Sequence, residues 1–218
     1  MKVLCIGQVE DSTHINAEIA KQTRRPEATM FYVDPSPAKG INNRRNRIAE
    51  NHKKLVEFVE FYKPDLVWQV EGDAVLPENC LEKLLKQYKK LRYDNFGYIS
   101  GIQVGRHGLY CLGAWVNFTP NSFESLDYRL KGIQKVEATG FYCLLAPTSV
   151  WLSGNAAWNG EIFGPDVVWS RSIDKNKYCD MSLTIGHKVH NGIIRPEHES
   201  TCNAKFYKQN DTWEYEQL

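Results

Sequence analysis

The sequence of 218 residues contains no apolar run approaching the ~20 residues that a bilayer-crossing helix requires. A membrane segment is therefore not expected. There is no excess of either charge: 27 Lys and Arg stand against 26 Asp and Glu, a formal net charge of +1. That balance argues against a protein that grips nucleic acid by bulk positive charge, although it leaves a local basic groove open. The six cysteines, Cys5, Cys80, Cys111, Cys143, Cys179 and Cys202, form no Cys-x-x-Cys pair. Several stand inside apolar runs, which fits reduced thiols better than a disulfide frame. Internal repeats, low-complexity stretches and linkers are also missing. The opening Met1-Lys2-Val3-Leu4-Cys5-Ile6-Gly7 reads straight into a strand without a cleavable signal, so a cytoplasmic location is expected.

What the chain has in quantity is aromatic side chains, 12% of residues with six Trp and eleven Tyr, a supply suited to stacking on flat ligands or sugar rings. The apolar share of 42% and charged share of 24% match an ordinary folded domain. The length fits one α/β unit, here divided into a nucleotide-type half over about 1–95 and a second half over about 96–218.

Hydrophobic patterning supports this division. Val3 to Ile6 is a short buried strand, Asp11-Ser12-Thr13-His14 opens a helix to about Lys21, and Thr29 to Val33 is a second strand stopped by Asp34-Pro35. Ile48, Leu55, Val56, Val59 and Tyr62, with His52, recur at helical spacing over about Asn43 to Phe61. Leu66 to Val70 is a continuous apolar strand, and Leu81, Leu84, Leu85, Tyr88 and Leu91 line a helix starting near Pro77. This β-α-β-α-β-α order predicts a parallel sheet covered by helices. Farther on, Tyr98–Ile102, Leu109–Phe118, Val136–Leu145 and Met181–Ile185 read as strands, Pro165–Ile173 as a short helix, and the end as a polar tail.

The third strand ends in Glu71-Gly72-Asp73. In open α/β sheets ligands bind beyond the carboxyl ends of strands. Two carboxylates one residue apart at that edge provide hard oxygen donors for Mg²⁺ or Mn²⁺, ions that bridge to phosphates. Without an ion, the crowded charges raise each other's pKa. A solvated acidic turn is the plain alternative; the buried strand before it and the Pro-led helix after it favour the site.

The stretch from Lys63 to Pro77 (K-P-D-L-V-W-Q-V-E-G-D-A-V-L-P) resembles the strand and D-x-D segment of nucleotide-sugar-dependent glycosyltransferases with the GT-A fold. Glu71 replaces the first Asp. Three further segments follow in the family's order. Asn43-Arg44-Arg45-Asn46-Arg47 is similar to the segment that approaches the nucleotide, with Arg45 first in line. Val136 to Leu145, centred on Gly140, resembles the strand pair beside the donor sugar, and Phe163-Gly164-Pro165-Asp166 the "G-E-D" helix start, with Pro165 in place of Glu. Leu183 to Lys188 is similar to the closing segment in which a His completes the metal site; His187 is preferred to His190.

The resemblance implies a GT-A fold: a Rossmann-like nucleotide-binding front half, a mixed central sheet and a smaller acceptor-side back half. It implies transfer of a sugar from a nucleotide-diphosphate sugar, a UDP-sugar foremost, to an acceptor hydroxyl. Asp73, Glu71 and His187 would hold Mn²⁺ or Mg²⁺, Asp34 and Arg45 would meet the nucleotide, Gly140 would let the backbone approach the sugar, and Asp166 would be the base of an inverting transfer. The acceptor is open. Trp115, Trp151, Trp158 and His107 lie in the acceptor half, and a hydroxymethylated base in phage-type DNA is one candidate. Plain alternatives stand beside these roles: a strand bend at Gly140, a helix cap at Asp166, and core packing for the Trp residues. A zinc site from His187, His190, His198 and Cys202 is a rival. So are a non-catalytic sugar- or nucleotide-binding module and a sugar-phosphate nucleotidyltransferase, whose Gly-rich first loop has no counterpart in Gly7-Gln8-Val9-Glu10-Asp11.

Overall fold

A computed structural model describes residues 1–35, 40–104, 110–158, 163–190, 192–197, 201–210 and 212–218, together with the backbone but not the side chains of Ile41 and Asn42. It is a mixed α/β structure. The front half follows the expected alternation: β1 (Val3–Val9), α1 (Ser12–Ala20), β2 (Ala28–Val33), α2 (Ile41–Tyr62), β3 (Leu66–Val70), the short β4 (Ala74–Val75) and α3 (Cys80–Leu91). Next come β5 (Phe96–Ile102), β6 (Ala114–Val116), β7 (Ser122–Ser125), β8 (Ile133–Val136), β9 (Ala138–Thr139) and β10 (Cys143–Pro147). The chain then forms α4 (Thr148–Ser153), α5 (Pro165–Ser172), β11 (Asn176–Thr184), β12 (Gly186–Val189), β13 (Gly192–Ile194), β14 (Ala204–Gln209) and β15 (Thr212–Gln217).

Seven strands build the central sheet in the order β2-β1-β3-β10-β5-β11-β8. β2, β1 and β3 are mutually parallel, whereas β10 runs antiparallel to both β3 and β5. Side chains alternate across this sheet, and each face buries its own core. Val3, Cys5, Trp68 and Val70 pack with Ile15 of α1 and Leu81 and Leu84 of α3. Leu4, Ile6 and Val67 pack on the other face with Leu55 and Val59 of α2, Trp151 of α4 and Trp169 of α5. Burial on both faces is why β3 reads as an unbroken apolar run.

The structure departs from the sequence pattern in several places, and the strand expected over 181–185 is β11, Asn176–Thr184. Helix α3 starts at Cys80 rather than Pro77. The carbonyl of Pro77 accepts from Cys80 N–H and Gln22 Nε2, and that of Glu78 from Thr23 N–H, so the segment docks on α1 before the helix begins. Only Ala114–Val116 of the expected 109–118 strand is strand, and residue 109 lies outside the described residues. The 136–145 run is broken because the chain changes sheets there: β8 pairs with β11, β9 pairs with β6 in a second sheet, and β10 returns to the centre. The expected polar tail is a β14–β15 hairpin, which completes the five-stranded sheet β15-β14-β7-β6-β9. Among the described residues, no helix is long and apolar enough to cross a membrane.

Candidate functional site

β1, β2 and β3 end at one edge of the central sheet, and there a cleft of about 820 Å³ opens between α1, α2 and β12. Its back is held together closely. A Cβ on Gly7 would sit 2.1 Å from the carbonyl oxygen of Val70, so only glycine lets β1 and β3 approach at this point. Gln8, which the sequence pattern placed in a loop, continues β1 and donates from Nε2 to the carbonyl of Ile48 on α2.

Glu71, Gly72 and Asp73 leave β3 into the cleft. The turn is pinned at both ends: Glu71 N–H donates to the carbonyl of Tyr142, Ala74 N–H to that of Glu71, and Lys188 N–H to that of Asp73. β4 pairs antiparallel with β12, setting His187 opposite Ala74. This register brings the buried imidazole of His187 to the Asp73 carboxylate, with Nε2 3.3 Å from Oδ2.

The other ring nitrogen fixes the proton. His187 Nδ1 lies 3.1 Å from the carbonyl oxygen of Val104. A carbonyl only accepts, so Nδ1 carries hydrogen. In a neutral ring the Nε2 lone pair would then face a carboxylate, and Nε2 is a buried atom without an aligned hydrogen-bond partner. That arrangement calls for positive charge between the two groups, either a second proton or a metal ion. Burial alone would lower the pKa of His187; the Asp73 carboxylate, the Val104 carbonyl and the charge of Glu71 outweigh it and leave the value raised. An oxygen and a nitrogen donor, the latter oriented by a backbone carbonyl behind the ring, suit a divalent ion that accepts imidazole, Mn²⁺ better than the oxygen-seeking Mg²⁺, with completion by other oxygens. Among the described residues no three His, Cys, Asp or Glu side chains converge as a ready set, so Asp73 and His187 are the two that meet.

At the neighbouring strand end, Asp34 accepts from Arg47 Nε and Nη2 at 3.3 and 3.2 Å and from Asn51 Nδ2 at 2.8 Å. Asp34 thereby raises the pKa of the Arg47 guanidinium. Arg44, Arg47, Ile48 and Asn51 line the cleft, the i, i+3, i+4, i+7 face of α2. Arg45, the first choice from the sequence, is turned about 100° away on the helix. It lies over the Trp158 ring at 5.7 Å and interacts electrostatically with Asp166.

Asp166 stands in the first turn of α5, and its carboxylate folds back over the helix start. A Cβ on Gly164 would lie 2.4 Å from Oδ1, and one on Gly140 3.0 Å from Oδ2. Gly140 and Asp166, distant in sequence, are thus neighbours. Burial raises the pKa of Asp166, opposed by the backbone N–H groups of Val167, Asp166 and Phe141 and by the charge of Arg45. Phe141 links the two regions, since it also lines the cleft.

Of the other sequence candidates, Trp151 is core, donating from Nε1 to Gln69 Oε1 and packing near His52. Trp115 packs edge-on against Phe123 and Phe206 in the second sheet. His107 and His198 lie outside the described residues. Cys202 is buried within electrostatic reach of Cys111, while His190 lines the cleft. The described residues do not gather His187, His190 and Cys202 into one zinc set. Arg47 and Asn51 were not singled out from sequence as ligands; their helical spacing with Arg44 and Ile48 was the available signal.

No family model matches the sequence, and no curated protein matches it. Among solved structures, the chain is similar to A197 from STIV, with a TM-score of 0.62 over 91% of this chain and 92% of that one. The two share the fold. At 14% identity the likeness extends no further than that.

Proposed function

We propose that the chain is a metal-dependent glycosyltransferase of GT-A type, moving a sugar from a nucleotide-diphosphate sugar to an acceptor hydroxyl. The observation that carries this reading is the Asp73–His187 pair, held at the carboxyl edge of β3 with a buried imidazole nitrogen 3.3 Å from a carboxylate oxygen. The cleft supports it: five carboxylates, Glu10, Asp11, Asp34, Glu71 and Asp73, against the three permanent cations Arg44, Arg47 and Lys188. A diphosphate entering such a cleft needs added positive charge. Bound Mn²⁺ or Mg²⁺, held by Asp73 and His187 with Glu71 nearby, would neutralise the departing diphosphate.

The chain's own groups account for the rest. The Asp34–Arg47–Asn51 cluster presents a rigid polar face to the nucleoside. Asp166, whose pKa burial raises against the opposing backbone N–H groups and the charge of Arg45, is thereby a stronger base and takes the acceptor proton. The acceptor oxygen forms its bond to the anomeric carbon as the bond from that carbon to the diphosphate oxygen breaks, and the electron pair leaves with the diphosphate. A single displacement of this kind inverts the carbon.

A second reading, a non-catalytic nucleotide-sugar-binding module, is favoured by one observation: Asp166 stands in the first turn of α5, where a carboxylate stabilises the helix dipole without any catalytic role. Both readings are tested by thermal unfolding with UDP-, GDP- and TDP-sugars, with and without Mn²⁺, on the wild type and Asp73→Ala. A ligand that binds only the folded state raises Tm by mass action. A Mn²⁺-dependent rise with one sugar nucleotide, lost in Asp73→Ala, is the expected result; no rise with any of them overturns both readings. Mn²⁺-dependent hydrolysis of the same nucleotide sugar selects the enzyme, and its absence the module. Transfer of radiolabelled sugar to DNA with hydroxymethylated pyrimidines tests that acceptor.

A further inference from the structure

On the reading just given, we propose that Lys188 is the diphosphate-binding cation of the site and takes up the charge of the departing nucleoside diphosphate. The place of its backbone is set independently of its side chain. β12 pairs with β4, and Lys188 N–H donates to the carbonyl of Asp73 at 2.9 Å, so the residue is fixed beside the Glu71–Asp73 turn. Strand alternation does the rest. His187 turns inward, buried against Asp73, and Lys188 is exposed and lines the cleft together with Val189 and His190.

The other two permanent cations of the cleft, Arg44 and Arg47, come from α2 on the nucleoside side, and Arg47 is engaged by Asp34. Among the described residues Lys188 has no carboxylate at ion-pair distance. The charge of Lys188 reaches Asp11, whose carboxyl pKa is lowered first by the N–H and hydroxyl of Thr13 and last by Lys188. A lysine is a compact point charge on a flexible four-carbon arm, well suited to a phosphate oxygen whose position shifts during reaction. Its contribution grows as the anomeric carbon–oxygen bond breaks and negative charge gathers on the diphosphate. Arg44 and the Asp34 cluster, at the other strand end, meet the nucleoside. Lys188 therefore reads the number of phosphates and leaves recognition of the base to others.

The test is isothermal titration of the full chain in Mn²⁺ with nucleoside, monophosphate and diphosphate of the uridine, guanosine and thymidine series. Wild type, Lys188→Met and Lys188→Arg are compared, with matching circular dichroism and Tm confirming that the exposed substitutions leave the fold intact. For the series that binds, Lys188→Met is expected to weaken the diphosphate by about tenfold or more, the scale of one charged hydrogen bond. The nucleoside and monophosphate should stay within about twofold, and Lys188→Arg should recover most of the loss. Equal diphosphate affinity in wild type and Lys188→Met, or parallel loss of monophosphate and diphosphate, overturns the role of Lys188 while leaving the nucleotide site standing. Failure of every nucleotide to bind the wild type overturns the site and the proposal with it.

Discussion

His52 shows how one residue links the cleft to stability. It sits on α2 one position after Asn51, stacked on Phe141 at 5.5 Å and tilted against Trp151 at 4.8 Å. Both ring nitrogens are buried without a hydrogen-bond partner. Burial in these apolar surroundings pushes its pKa down to about 4. The unfolded chain takes up the proton near pH 6.5, whereas the folded chain resists until about pH 4. His52 therefore costs no stability above pH 6.5, lowers it as pH drops from 6.5 to 4, and adds no further loss below. The span corresponds to a loss of about 3 kcal/mol. Urea unfolding at pH 7 and pH 4.5 is expected to show most of that loss in the wild type and little of it in His52→Leu; an equal loss in both would remove His52 as the cause.

The same scale explains why Arg44 and Arg47, and not Arg45, line the cleft. Arg44, Arg45 and Arg47 are equivalent by charge, and adjacent positions on a helix point about 100° apart. Arg45 shares a face with His52, seven residues on, and that face looks toward Phe141 and α5. Residue type was legible. Direction required the phase of the helix.

At the level of elements, the site depends on β1 and β3 ending together. Their register aligns Val3 with Leu66 and Ile6 with Gln69, and Gly7 passes directly against the backbone of Val70. A backbone oxygen cannot rotate away as a side chain can. Gly7→Ala is therefore expected to destabilise the protein by about 1–3 kcal/mol, the usual cost of overpacking a tight interior. On the proposed function it should also weaken Mn²⁺-dependent nucleotide binding, because the displaced Val70 carries Glu71 and Asp73. Chemical denaturation and the titration described above measure the two effects, and a Gly7→Ala variant of wild-type stability would show that the contact relaxes freely. The Gly at this position was visible in the sequence only as the end of an apolar run. Its role depends on a neighbouring strand more than sixty residues away.

On the scale of the whole molecule, the C-terminal hairpin belongs to the structure that supports the site. Phe206 of β14 stacks on Phe123 at 4.6 Å, and Trp213 of β15 lies 5.4 Å from Phe123 and 5.9 Å from Phe163. Phe163 is three residues before Asp166, so the hairpin backs the entrance to α5. Trp213 is half-buried, and Trp213→Ala is expected to cost about 2 kcal/mol, below the ~3–5 kcal/mol of a fully buried Trp. Thermal unfolding checks it, and an unchanged Tm would mean that the hairpin is dispensable to the fold. The alternation of Phe206 with Lys205 and of Trp213 and Tyr215 with glutamates was a readable strand signal, with Asn210 at φ +49° opening the turn. Its many charges made it look like a tail, because one face of the hairpin is exposed.

The front half was determined by the sequence alone because its strands are buried on both faces and its helices carry one apolar stripe, so periodicity and element type coincide. Glu71, Asp73 and His187 were likewise legible as candidates, from residue type and from their place after apolar runs. Tertiary structure decided what periodicity cannot carry. It set the β4–β12 register that puts His187 against Asp73, the chain's change of sheets around Gly140 that brings it to Asp166, and the rotation of α2 that gives Arg47 to Asp34. Each of these is a contact between segments far apart in the chain. Local pattern shows which face of an element is buried; the partner across that face is chosen only when the sheet is assembled.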